Sequence, residues 1–353
     1  MNHITHFDKR LEQIPNKIWS KIAYVDELKG RWSAGVNLSP EVLKRLKRSV
    51  LVTSTGASTR IEGGKLSDEE IEKMIRGISI EKFSNRDEAE AQGYFELLSN
   101  VFNAWDSLKL NENTIKHFHQ ELLKYTQKDL LHRGRYKSKE NQVRMIGPEG
   151  EDMGVLFDTT PAYLTPKEVN ELVEWTNQAF ESKKYHPLLI IGNFIVEFLS
   201  IHPFEDGNGR LSRILTNLLL LKQGYLYTPY VSHEKLIEDS KADYYLALRN
   251  SQKTFRTGKE DLSFWLDFFL KILSIQSELA IELMTSENIE SMLSSKQLAV
   301  WQYLQETNDA SPMEIAKKIN IARITVNQVL NKLLKIKRIE RIGQGSGIRY
   351  RKK

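Results

Sequence analysis

Residues 188–201 (Leu-Leu-Ile-Ile-Gly-Asn-Phe-Ile-Val-Glu-Phe-Leu-Ser-Ile) are the most apolar run of the chain, and they restrict what the rest can build. The run falls short of the ~20 apolar residues that cross a bilayer. It also carries Asn193 and Glu197, so it reads as a helix that other helices must enclose. Apolar residues recur at helical spacing along most of the sequence, and from about Pro166 to Ser286 the pattern breaks only at 202–209 and around Gly224. The expected fold class is therefore mainly α.

Local signals bracket two further helices. Ser39-Pro40 reads as an N-cap followed by Pro at the first helical position. Ser67-Asp68-Glu69-Glu70 has capping-box spacing ahead of a helix that stops near Gly77. The polar stretch from Gly134 to Pro161 interrupts the helical pattern. Within it Gln142–Ile146 is expected as a strand leading into a turn at Gly147-Pro148, the first half of a short β-hairpin flap.

At 353 residues the chain has room for two or three domains. With 40% hydrophobic and 27% charged residues it has the balance of a globular protein rather than a disordered or membrane one. There is no Cys, hence no disulfide framework and no thiolate chemistry. The first twenty residues lack the apolar stretch of a signal peptide, so no membrane partner and a cytoplasmic location are expected. The net charge of +5 conceals an asymmetry: residues 311–353 carry +10 and the remainder −5. A basic tail on an acidic body points to an anionic partner for the tail, with DNA the commonest and a merely solvated surface the alternative.

The break at 202–209 is where chemistry concentrates. Residues 201–213 read Ile-His-Pro-Phe-Glu-Asp-Gly-Asn-Gly-Arg-Leu-Ser-Arg, between the apolar helix and a second one. Gly207 and Gly209 allow successive N–H groups to face one concavity, at which the following helix aims its positive end. An anion, most simply a phosphate, belongs there. Asp206 is a hard carboxylate suited to Mg²⁺, Asn208 can orient a phosphate without charge, and Arg210 and Arg213, three residues apart on one helix face, can engage successive phosphates. His202 at the other lip is placed to act as a general base. Pro203 and Phe204 read as structural.

From His202 to Arg213 every fixed position of H-P-F-x-D/E-G-N-G-R-x-x-R is present, and the segment resembles the signature of the Fic family. The resemblance implies a Fic-type helical core and transfer of AMP from ATP, with Mg²⁺, to Ser, Thr or Tyr hydroxyls of a target protein or of the chain itself. In that scheme His202 takes the hydroxyl proton. Gly207, Asn208, Gly209, Arg210 and Arg213 hold the phosphates, and Asp206 holds the metal. Some relatives instead transfer other phosphate-containing groups or remove AMP. The stretch His132–Gly147 is similar to the family's target-docking flap, in which Val143, Arg144, Met145 and Ile146 would pair with the target backbone. Lys137 stands where the family often has Arg. Tyr244 and Tyr245 can stack on the adenine or pack in the core.

Upstream, Ser58-Thr59-Arg60-Ile61-Glu62-Gly63 is similar to the family's inhibitory motif, S/T-x-x-x-E-G/N. Thr59 and Glu62 also have capping-box spacing, but Gly63-Gly64 would stop a helix rather than start one, so Glu62 is expected at a helix end. By resemblance Ser58, Glu62 and Gly63 form a brake in which Glu62 pairs with Arg213 and low basal activity results. Fic relatives often self-associate, which makes a homodimer an expected partner arrangement.

The last sixty residues read as three helices, Ser295–Glu306, Ser311–Asn320 and Ala322–Ile336, then a ribbon of Arg338–Arg341 and Ile348–Arg351 around Gly343, Gly345 and Gly347. This is the pattern of a winged helix-turn-helix, a module that serves DNA binding or protein docking. Arg323, Thr325, Asn327 and Gln328 are placed to face base edges. The expected division is 1–100 for an N-terminal helical region with the inhibitory helix, 101–286 for the Fic core and 287–353 for the winged helix, with a linker at 287–295. An enzyme is the first reading. A DNA-binding transcriptional regulator whose core only senses nucleotide is the alternative, and the general base at the lip favours the enzyme.

Overall fold

A computed structural model describes residues 5–36, 38–76, 83, 85–146, 152–335, 338–343 and 348–352, with backbone alone at 143–146, 152–158 and 285–292. It divides into two compact units, Met1–Ile281 and Glu282–Lys353.

The first unit contains α1 (His6–Lys9), α2 (Asn16–Gly35), α3 (Pro40–Ile61), α4 (Asp68–Ile75), α5 (Arg86–Ala104) and α6 (Glu112–Leu122). The strands β1 (Gln142–Ile146) and β2 (Asp152–Asp158) follow, then α7 (Thr165–Ser182), α8 (Pro187–Ile201), α9 (Asn208–Lys222), α10 (His233–Asp239) and α11 (Lys241–Gln252). A long helix, α12 (Ser263–Met292), follows and runs across the boundary between the two units, its residues 282–292 belonging to the second.

The apolar run is α8, and it is buried on all sides, packed between α7 and α9. Asn193 and Glu197 are met by the N-terminal segment. The Asn193 amide donates to the Phe7 carbonyl at 3.1 Å, and Glu197 pairs with Arg10 at 2.5 Å. A buried carboxylate is tolerated only when so matched.

Helix α3 begins as its sequence indicates, with the Val42 N–H donating to Ser39 Oγ and Pro40 at the first position. It ends in a Schellman turn: the Gly63 N–H donates to the Arg60 carbonyl and the Gly64 N–H to the Thr59 carbonyl, with Gly63 at φ +98°. Glu62 is the C-cap of α3, which excludes the capping-box reading of Thr59 and Glu62. The Ser67–Glu70 capping box does form, at the start of α4.

The hairpin is antiparallel, with Gln142 opposite Asp158 and Ile146 opposite Asp152 and with register shifts on either side of Arg144. The turn expected at Gly147-Pro148 and the stop at Gly77 lie outside the described residues. No described helix is long and apolar enough to cross a membrane.

The second unit contains α13 (Ser295–Glu306), α14 (Pro312–Lys318), α15 (Arg323–Lys335) and an antiparallel ribbon of β3 (Ile339–Ile342) and β4 (Arg349–Lys352). Val300, Trp301, Ile315, Val326, Leu330 and Ile339 form its core, and Ala310 bridges to Tyr350. The helices and ribbon fall where the sequence puts them. Gly345 and Gly347 lie outside the described residues.

Residue 100 lies inside α5, whose buried face packs on α3 and α9, so no division between compact units falls there. The expected linker at 287–295 is mostly helix, since α12 runs to Met292 and α13 begins at Ser295.

Candidate active site at the α8–α9 loop

His202 terminates α8 in the left-handed region, at φ 51° and ψ 62°. A residue with a Cβ holds that conformation only where its surroundings enforce it, and such positions cluster at functional sites. Its N–H donates to the Phe198 carbonyl at 3.0 Å, and Nδ1 lies 3.4 Å from the Leu199 carbonyl. With Nδ1–H facing that carbonyl, Nε2 keeps its lone pair for a substrate. Burial, reinforced by the charge of Lys137, pushes the imidazole down to about 4, so it is neutral and able to accept a proton at neutral pH.

The loop then dips into the core. Phe204 is fully buried and lies flat on the His119 ring, centroids 3.8 Å apart and planes at 9°. Asn208 braces it from the far side: its Oδ1 accepts from the Phe204 N–H at 3.0 Å and its Nδ2 donates to the Phe204 carbonyl at 2.8 Å. Each polar end of the Asn208 side chain thus makes a bond within the loop, which gives it a bracing role beside the phosphate contact expected from sequence. Its backbone N–H belongs to the first turn of α9, whose N–H groups have no partner within the helix. Gly207 caps that helix at φ +78°.

His119, on α6, was not singled out by sequence. The Gly134 N–H donates to its Nδ1 at 2.8 Å, which leaves Nε2 to donate to the Asp206 carbonyl at 3.0 Å. Burial pushes this imidazole to about 4 as well, so the ring is a fixed neutral strut under the loop. At helical spacing with Ile115, Phe118 and Leu122 it is indistinguishable in sequence from a core histidine. His119→Ala is expected to cost about 2–4 kcal/mol of unfolding free energy, through two lost hydrogen bonds and an unfilled stack. Urea denaturation checks this, and an unchanged midpoint would contradict it.

Asp206 is two-fifths exposed. Burial favours its protonated form, but Arg210, the Gly207 N–H and Arg86 outweigh it and keep the group ionised. Arg210 lies 3.1 Å from Asp206 and also pairs with Glu90, while Arg86 pairs with Asp206 and Glu90 and sits 3.5 Å from Asp129. One oxygen of each of Glu90, Asp129 and Asp206 lies within 4.8 Å of the others, with the two guanidinium groups among them.

Arg213 is 2% exposed and points at the end of α3. Its Nε donates to Ser58 Oγ at 2.9 Å, and one terminal nitrogen donates to the Ser58 carbonyl at 3.0 Å and to Glu62 at 2.7 Å. Glu62 simultaneously crowds the start of α9: a Cβ on Gly209 would stand 2.2 Å from Glu62 Oε1, an approach only glycine permits. A carboxylate thus occupies the positive end of α9 against a buried arginine.

Comparison with known proteins gives the same location. Residues 109–220 match the Fic/DOC family. A Fido domain-containing protein of Dictyostelium discoideum is 30% identical over 102 residues, covering 28% of this chain and 67% of that protein. The chain belongs to the Fic/DOC family. The protein adenylyltransferase Fic of Aedes aegypti is 26% identical over 190 residues, 52% of this chain and 34% of its own. The match to a probable protein adenylyltransferase of Aquifex aeolicus is 32% identical over 110 residues, 31% of this chain and 33% of that one. The chain thus spans about a third of the length of the adenylyltransferases it matches. The crystal structure of a Fic family protein from Desulfovibrio desulfuricans G20 superposes with a TM-score of 0.62 at 25% identity, over 97% of both chains.

In this Fic/DOC chain the sequence-expected residues Ser58, Glu62, His202, Asp206, Gly207, Gly209, Arg210 and Arg213 converge on one loop. Gly63 acts through backbone, by stopping α3. Tyr244 does not join them: it is buried against Trp265 and Phe268, which is the core-packing alternative of the two readings. Tyr245 donates to the Ile61 carbonyl at 3.3 Å, which ties its ring to the end of α3 rather than presenting it to a ligand. The side chains of Val143, Arg144, Met145 and Ile146 lie outside the described residues, whereas their backbone forms β1.

Proposed function

We propose that this chain is a protein adenylyltransferase that moves AMP from ATP to Ser, Thr or Tyr hydroxyls of a target protein or of itself, and that Glu62 holds it in check. The observation that carries this is the Glu62 carboxylate seated on Gly209 and bonded to Arg213. The start of α9 is an anion site, and the chain fills it with its own anion. The relatives named protein adenylyltransferases support the choice of reaction.

His202 Nε2 takes the proton as the target hydroxyl oxygen bonds to the α-phosphorus of ATP. The bond from that phosphorus to the bridging oxygen breaks, and pyrophosphate leaves. The N–H groups of Asn208 and Gly209 and the Arg210 and Arg213 guanidinium groups receive the charge of the departing phosphates. Asp206 fits a Mg²⁺ role: it is ionised and partly exposed, and one carboxylate beside phosphate oxygens is the ligand set this ion favours. The ion would neutralise pyrophosphate charge. Glu90, held by Arg86 and Arg210, and Asp129, beside His132 and Arg86, stand next to Asp206. The two-stranded sheet leaves β1 with an edge that no third described strand covers, which suits docking of an extended target segment.

ATP labelled at the α- or at the γ-phosphate, incubated with the Glu62→Gly variant and a cell lysate, tests the reading. α-Label alone on protein supports AMP transfer, and γ-label alone would replace it with phosphoryl transfer.

A second reading concerns the other unit, where Arg323, Asn327 and Gln328 are exposed at the start of α15. We assign this face to duplex DNA. The ribbon contributes less charge than expected, because Arg349 is held by Asp309 and Glu314, and Arg351 by Glu340. Arg323→Ala with Gln328→Ala is expected to weaken duplex binding at least tenfold by fluorescence anisotropy. A binding curve that neither this variant nor added salt moves would assign the face to protein docking.

A further inference from the structure

Lys137 lies outside the signature, yet its side chain is nearly fully buried beside the catalytic loop. Its Nζ donates to three neutral oxygens: Asn141 Oδ1 at 2.8 Å, Thr159 Oγ1 at 2.8 Å and the Ile201 carbonyl at 3.0 Å. These acceptors are not scattered. Asn141 immediately precedes β1, Thr159 immediately follows β2, and Ile201 precedes His202. One ammonium group therefore closes the base of the hairpin and joins it to the peptide that carries the catalytic imidazole.

The connection is reinforced twice. The Lys137 N–H donates to the Pro203 carbonyl at 2.9 Å, and Asn141 Nδ2 donates to the Phe204 carbonyl at 3.1 Å. The carbonyls on both sides of His202 are thus held from the flap base. Thr159 Oγ1 also lies 2.8 Å from the Asn141 carbonyl, which ties the two ends of the hairpin to each other. A buried ammonium with no bonded carboxylate is costly, and burial pushes it down to about 8. Such a group persists where its geometry is needed.

We infer that Lys137, acting with Asn141 and Thr159, is a positioning residue that sets the flap hairpin against His202, so that the strand receiving the target and the base receiving its proton are held by one clamp. This rests on the AMP-transfer reading. Lys137 has a second, electrostatic effect. Three charged groups bear on the His202 imidazole: Lys137 disfavours its protonation, while Glu62 at the end of α3 and Asp206 in the loop favour it. Removing the Lys137 charge lets His202 protonate at higher pH.

The test uses the full chain with Glu62→Gly as parent, adding Lys137→Met, Lys137→Arg or Thr159→Val. Three quantities are read: ATP affinity, self-labelling from α-labelled ATP across pH, and amide hydrogen exchange of 142–146 and 152–158. Lys137→Met is expected to keep ATP affinity within twofold, to slow labelling at least tenfold and to speed strand exchange at least tenfold. It should also move the acidic limb of the rate profile to higher pH. Lys137→Arg, which keeps the charge and a donor, should leave that limb in place and recover most of the rate. Thr159→Val, which keeps Lys137, should speed strand exchange even if Lys137→Met does not fold.

Parent-like exchange in both Lys137→Met and Thr159→Val overturns the inference, as does a parent-like rate with an unmoved acidic limb in Lys137→Met. A parent that binds ATP but labels nothing overturns the AMP-transfer reading instead, and strand exchange then still decides whether the clamp exists.

Discussion

Glu62→Gly is expected to raise AMP transfer by about ten- to a hundredfold. In the resting chain Glu62 bonds Arg213 at 2.7 Å and covers Gly209, so the guanidinium and the start of α9 that should receive phosphate are already taken. Hydrogen bonds to charged groups contribute ~1.5–3 kcal/mol, and each ~1.4 kcal/mol is a factor of ten in rate. The Glu62 side chain is 35% exposed, so solvent screening favours the lower part of that range. The same change leaves Arg213 buried without its carboxylate, so Glu62→Gly should melt lower than the parent without nucleotide and gain more from ATP. A labelling rate equal to that of the unaltered chain would remove the brake from this account.

The opposite result is expected at His202. A positioned general base contributes about 10²–10⁴-fold, so His202→Ala in the Glu62→Gly background should lose that much transfer while binding ATP as before. The left-handed backbone at this position disfavours Ala, so His202→Asn is the companion variant, since Asn tolerates that region and cannot serve as the base. Both should be inactive. In the intact site the rate should be flat through neutral pH and fall only as pH drops towards about 4, because burial keeps the imidazole neutral above that value. Transfer surviving in both variants would assign proton removal elsewhere.

Much of this was legible in the chain itself, for physical reasons that differ by element. The apolar run 188–201 had to be enclosed, and α8 is enclosed. Ser39-Pro40 and Ser67–Glu70 carry their caps within four residues, so those helix starts are local facts, as is the glycine stop that puts Glu62 at a helix end. The loop from His202 to Arg213 concentrates groups whose chemistry is unusual together.

What sequence did not disclose depends on partners distant along the chain. His119 supports Asp206 from 87 residues away, and Lys137 reaches Ile201 across 64. Arg86 and Glu90 enter the loop's charge network from α5. Asn208 and Tyr244 stay ambiguous in sequence for one reason: a polar amide or an aromatic near a phosphate loop suits a ligand or the core equally well, and only burial separates the two.

The most direct test of the account is the intact mass of the protein after incubation with Mg-ATP, comparing the unaltered chain, Glu62→Gly and Glu62→Gly/His202→Asn. The account predicts an added AMP on Glu62→Gly, little on the unaltered chain and none on the double variant. AMP addition of equal extent in all three would contradict both the role of His202 and the restraint by Glu62.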